Sequence, residues 1–239
     1  MIKNNIDIIN FLLKKIDTIY SDSFLHSSIT EINIPSSIKR IEMYAFIYSS
    51  SLKKVILPSS LKSIGTYAFW KCKSLIEIDI PSSVTKIDNS AFLDCESLKR
   101  VHLSSSLTEI KYSLFENCSS LEEIEIPSSV TKISFSAFKN CRSLKHVKMS
   151  PNVTFIEDSA FLDCISLSNI DLPSSLTTIK SEVFFECIDI SHLVGEIPCY
   201  AFYGCESIKQ IVISPSVNLI NSCAFSGCKS LIEIDIPSS

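Results

Sequence analysis

Residues 75–92 read LIEIDIPSSVTKIDNSAF, and apolar and polar positions alternate at their start. Leu75, Ile78 and Ile80 are apolar, while Glu77 and Asp79 are polar. Side chains of a strand point to opposite faces in turn, so this alternation predicts a half-buried β-strand. Pro81 has no N–H to donate and ends the ladder. Ser82 and Ser83 make a corner, Val84 and Ile87 form a second, shorter apolar stretch, and Ala91 and Phe92 turn inward again.

The same unit recurs along the chain. Phe-x-x-Cys begins at Phe69, Phe92, Phe115, Phe138, Phe161, Phe184, Phe202 and Phe225, with degenerate copies at Phe24 and Phe46. Successive marks lie 22, 23, 23, 23, 23, 23, 23, 18 and 23 residues apart. A fixed period in this range is the signature of a solenoid, because one coil cannot bury its apolar face alone and stacked coils can. Strands of successive coils then pair in parallel, about 4.8 Å apart.

The pattern Leu-x-x-Ile-x-Ile-Pro-x-x-Val-x-x-Ile-x-x-x-Ala-Phe-x-x-Cys resembles the BspA-like leucine-rich repeat, the 23-residue Treponema pallidum type. The resemblance implies a leucine-rich-repeat solenoid with a parallel β-sheet on its concave side, otherwise mostly irregular coil. It also implies non-enzymatic work: surface proteins, adhesins, and modules that bind a protein, matrix or glycan partner. We expect about ten repeats over residues 19–239, preceded by a helical cap over residues 1–18. Ile2, Ile6, Ile9, Leu13 and Ile16 recur at helical spacing and predict a short amphipathic helix over residues 3–16. The 18-residue spacing between Phe184 and Phe202 predicts a tightened coil between Cys187 and Cys205, near Gly195. The sequence stops at Ser239 in mid-repeat, which leaves two expectations: the natural protein continues, or residues 231–236 form an open strand that associates end to end or is an aggregation liability.

Ten cysteines call for an account. Eight form one column, Cys72, Cys95, Cys118, Cys141, Cys164, Cys187, Cys205 and Cys228, with Cys199 and Cys223 outside it. Thiols 23 residues apart fall on a line, whereas zinc needs ligands converging on one point. Parallel stacking also points their Cβ vectors the same way, which disfavours bridges. They are expected to be small buried hydrophobes. Corner serines are expected to satisfy local backbone groups.

Charge confines the function further. With 22 basic and 26 acidic residues the net charge is −4, and no clustered Lys/Arg groove suits nucleic acid. No apolar run approaches a membrane span, and no cofactor motif is present. The outward strand positions alternate in sign by rung: Glu77 and Asp79 acidic, Arg100 and His102 basic, Glu123 and Glu125 acidic, His146 and Lys148 basic. Together with Lys54, Asn169 and Asp171 they are the candidate interaction surface. No nucleophile has a base on its own face, so catalysis is not expected. A binding module is the leading expectation, and a structural scaffold or spacer the other. The missing leader and the free thiols point to the cytoplasm, and the family resemblance points to the cell surface.

Overall fold

The computed structural model describes residues 6–167, 169–170, 173, 175–180, 183–184, 195–197, 199–204, 210–213 and 217–236. The chain winds into a solenoid of parallel strands with almost no helix. The concave strands are three-residue segments such as Lys54–Ile56, Glu77–Asp79, Arg100–His102 and Glu123–Glu125. Each has the burial pattern exposed, buried, exposed, as the alternation predicts. Register follows the repeat: Glu77 faces Arg100, Ile78 faces Val101, and Asp79 faces His102.

The second apolar stretch also forms a ladder, which periodicity alone did not announce. Two-residue strands, among them Ser63–Ile64, Lys86–Ile87, Lys132–Ile133 and Phe155–Ile156, pair in parallel across the opposite wall. Two residues are too short for alternation to register.

Between the two walls lies the core. Its spine is a stack of phenylalanines running from Phe24 through Phe46, Phe69, Phe92, Phe115, Phe138, Phe161, Phe184 and Phe202 to Phe225. Ring centroids are 4.5 to 5.7 Å apart, and neighbouring planes lie within 14° of parallel. Each ring is held at the spacing of the coils, so the stack is a consequence of the period. Phe46 to Phe202 are fully buried, and truncating one to Ala would cost about 3–5 kcal/mol.

Of the described column thiols, Cys72, Cys95, Cys118, Cys141 and Cys164 are buried, as expected, whereas Cys228 is half-buried; none is bridged. They also donate hydrogen bonds. The Cys72 thiol reaches the Phe46 carbonyl at 3.2 Å, and Cys95, Cys118, Cys141 and Cys164 repeat the bond one coil further on each time. The second coil has Ser49 in place of cysteine, and its hydroxyl donates to the Phe24 carbonyl. Burial pushes the Cys72, Cys95, Cys118 and Cys141 thiols well above the ordinary range. Cys187 and Cys205 lie outside the described residues.

Corner serines bond between coils as well as locally, the expected local bond appearing for example from the Asn152 N–H to Ser150. Ser60, Ser83 and Ser129 donate to the carbonyls of Ile38, Leu61 and Leu107, each one coil back. Where proline is absent, Ser104 rebuilds the corner, donating to the Val84 carbonyl and accepting from the Ser106 N–H.

Each coil also bends twice through left-handed backbone. One column is Tyr44, Tyr67, Ser90, Ser113, Ser136 and Ser159; the other is Tyr48, Lys71, Asp94, Asn117, Asn140 and Asp163, continued by Gly204 and Gly227. Asn, Asp and Gly are the residues this conformation favours. In the second column the side chains form a ladder as well: Asn140 donates to Asn117 at 2.8 Å, and Asn117 donates to Asp94 at 2.7 Å.

The cap helix α1 spans Ile6–Leu13, shorter at its C-terminal end than predicted, because the chain turns at Lys14 and Lys15. Ile9 and Leu13 are buried against the first coil, and Ser37 donates to the Leu13 carbonyl. The shortened coil leaves a trace: the Gly195–Ile197 strand pairs with Val217–Ile220 through a register shift between Gly195 and Glu196. At the other end the Glu233–Asp235 strand is exposed throughout, with Ile232 and Ile236 bare beside it.

Candidate functional site

The concave sheet presents the predicted residues side by side. Lys54, Glu77, Asp79, Arg100, His102, Glu123, Glu125 and Lys148 are exposed, and His146 is half-buried. Asn169 lies in the Asn169–Ile170 strand, in register with His146. Asp171 lies outside the described residues.

The charges pair in one direction. Three basic residues reach back to the acid one coil earlier: Arg100 to Glu77 at 3.2 Å, Lys148 to Glu125 at 2.7 Å, and His102 to Asp79. All six groups are solvent-exposed, so these pairs contribute about 0–1 kcal/mol each. Among the described residues, Lys54 and Glu123 make no ion pair, although opposite charges stand on the neighbouring rungs.

Backbone pairing is interrupted in the middle of this surface. The four strands ending at Arg100–His102 form one sheet, and those starting at Glu123–Glu125 form another. A stitch remains at the border, where the Glu122 N–H donates to the Lys99 carbonyl at 3.3 Å. Above the interruption is a hollow of about 600 Å³, walled by Arg100, His102, Glu123, Glu125, His146 and Lys148. Leu103, Ser105 and Pro127 also line it, and the alternation of charges did not single them out. The absent proline in Leu103-Ser104-Ser105 was the available signal.

The opposite wall carries its own polar network. Lys132 bridges Glu109 at 3.3 Å and Glu157 at 2.8 Å, Lys111 joins Glu109, and the Ser134 hydroxyl donates to Glu109 at 2.6 Å. Burial raises the Glu109 carboxyl, but hydrogen bonds from Lys111 and Ser134 and the lysine charges outweigh it and hold the group below the usual range. A second feature missed in the sequence is an aromatic cluster on the first coils. His26 stacks on Tyr48, Tyr44 on Tyr67, and Trp70 meets both tyrosine columns, with Lys71 5.2 Å above Tyr48 and Trp70. No helix among the described residues is long and apolar enough to cross a membrane.

Stacked parallel coils, a concave sheet and a buried phenylalanine-cysteine seam define a leucine-rich-repeat protein. The sequence pattern of the BspA type leucine rich repeat region matches residues 17–145, 108–196 and 195–239, and the chain belongs to that family. A leucine-rich repeat protein from Bacteroides ovatus is similar at 29% identity and a TM-score of 0.69, over 87% of this chain and 60% of its own. One from Eubacterium ventriosum is similar at 30% identity and a TM-score of 0.66, over 72% of this chain and 46% of its own. The leucine rich repeat protein of Treponema pallidum is 30% identical with a TM-score of 0.61, over 64% of this chain and 72% of its own. The chain thus spans about half to three fifths of the first two relatives. A search of curated proteins gives no match. The family's fold is a general protein-interaction and surface fold, and its members are typically non-enzymatic.

Proposed function

We propose that the chain is a non-enzymatic interaction module that binds a protein or matrix partner on its concave sheet. The contact runs over Lys54, Glu77, Asp79, Arg100, His102, Glu123, Glu125, His146, Lys148, Asn169 and Asp171. One observation carries the reading: the hollow at the interruption between the Arg100–His102 and Glu123–Glu125 strands. The buried residue of each strand is committed to the core, whereas the exposed two contribute little to it and are available for a partner. A cavity mixing apolar floor with a few placed polar groups is what recognition uses.

The test is a paired reversal, Arg100→Glu with His102→Glu, used as bait beside the unaltered protein in affinity capture from the native source. A partner held by the unaltered chain and lost by a variant with the same circular dichroism supports concave binding. A partner retained by the folded variant removes the concave sheet from the account.

A further inference from the structure

We infer that the hollow receives a basic anchor, an arginine side chain of the partner, with Glu123 as its counter-charge; this rests on the concave-binding reading and names the partner's chemistry. The argument is one of charges already committed. The exposed basic residues around the hollow are each held by an acid one coil back: Arg100 and Lys148 in ion pairs with Glu77 and Glu125, and His102 against Asp79; half-buried His146 stands in register with Glu123. Glu125 is spent in the same way. Glu123 is the carboxylate of the hollow that has no ion-pair or hydrogen-bond partner among the described residues. An incoming anion would meet Arg100 and Lys148 already paired with acids, and an open carboxylate. An incoming cation would meet that carboxylate with nothing to displace.

The shape fits the same occupant. Leu103 and Pro127 line the same hollow as Glu123, so it offers apolar surface together with one open negative group. Arginine has that division, an aliphatic stem ending in a planar fork that pairs both carboxylate oxygens. A volume of about 600 Å³ admits a side chain of this size. Arginine is also among the residues that dominate protein interfaces when seated in a pocket.

The test uses N-acetyl-arginine amide as the probe and N-acetyl-citrulline amide, its uncharged near-isostere, as the control. Both are titrated into the full ¹⁵N-labelled chain and followed by amide shifts. The expected result is saturable change at Leu103, Glu123 and Ile124 with the arginine probe and none with citrulline. Glu123→Gln should weaken binding about tenfold, since a charge-assisted bond is lost. Glu31 lies in the Glu31–Asn33 strand, which pairs with Lys54–Ile56 away from the hollow, so Glu31→Gln should leave affinity within about twofold. Equal response to both probes, an unchanged Glu123→Gln variant, or equal losses in both variants overturns the anchor. If the probe fails while the Arg100/His102 reversal still abolishes partner capture, concave binding stands and only the arginine anchor falls.

Discussion

Replacing Cys118 separates two roles that a buried thiol can play. The residue is fully buried, and its Sγ donates to the Phe92 carbonyl at 3.3 Å. That carbonyl also accepts the Cys95 N–H at 3.2 Å, so the thiol supplies the second of its two bonds. Cys118→Ala removes the sulfur and that second bond. The lost burial and cavity amount to about 1 kcal/mol, and a carbonyl left with one partner adds about 1 kcal/mol more. The expected total is about 2 kcal/mol. Cys118→Val restores bulk without a donor and adds a branch in a full site, for about 2–3 kcal/mol. Cys118→Ser keeps a donor in the place where Ser49 makes the same bond, and should cost about 1 kcal/mol or less. Stability is read from urea midpoints, with amide exchange at Phe115 and Cys118 to localise the effect, since repeat arrays can depart from two-state unfolding. The expected order is Cys, Ser, Ala, Val. If Val matches the native thiol while Ser is the weakest, the column is held by packing alone and the hydrogen bond carries no weight.

Left-handed backbone gives a second test: Ser136 has φ 53°, so Ser136→Gly should be neutral within about 1 kcal/mol, while Ser136→Val should cost about 2 kcal/mol or more in the same urea assay. Thiol labelling under native conditions should modify exposed Cys223 and spare Cys72, Cys95, Cys118, Cys141 and Cys164, even at pH 9, because burial blocks access to all five and raises the first four; mass spectrometry of labelled peptides reads the outcome. Glu109 and Glu157 are held below their ordinary range, so their contribution is present above the unfolded carboxylate value and lost as pH falls through the folded one. Lys132 is raised, through the Glu157 hydrogen bond first, so its contribution is present below the unfolded lysine value and lost as pH rises through the folded one. Lys132→Met should therefore cost about 0.5–1 kcal/mol between about pH 5 and 9, with the difference from the native chain shrinking below about pH 4 and above about pH 10.5.

The coil, its register and the phenylalanine spine were legible because they rest on period and alternation. Ile78 and Phe92 are buried where their neighbours predict. What stayed hidden is of three kinds. The Lys86–Ile87 ladder is two residues long, below the reach of any periodicity. The donor role of the thiols is invisible from cysteine alone; the Ser49 substitution was the clue. The left-handed column Asp94, Asn117, Asn140 has a composition that announces itself, but Tyr48 and Lys71 in the same column obscured it. On the concave face the sequence showed alternating sign, and only the structure shows which neighbour each cation chooses. Acids stand on the rungs either side of Arg100, and it pairs with Glu77, whose strand is in register with its own, rather than with Glu123 across the interruption.

That assignment matters for how a concave mutation is to be read. Reversing Arg100 and His102 removes two exposed pairs and sets like charges beside Glu77, Asp79, Glu123 and Glu125. Each such term is about 0.2–1 kcal/mol on an open sheet. Their sum is on the order of 2–3 kcal/mol, less than the about 3–5 kcal/mol of a single phenylalanine taken from the spine. The buried Val101 between the two reversed positions keeps its place in the core, because its face of the strand is untouched. The solenoid therefore separates the residues that hold it together from those that face a partner. A lost interaction in the folded reversal variant then reports on recognition, and a Phe115→Ala variant in the same assay reports on the fold.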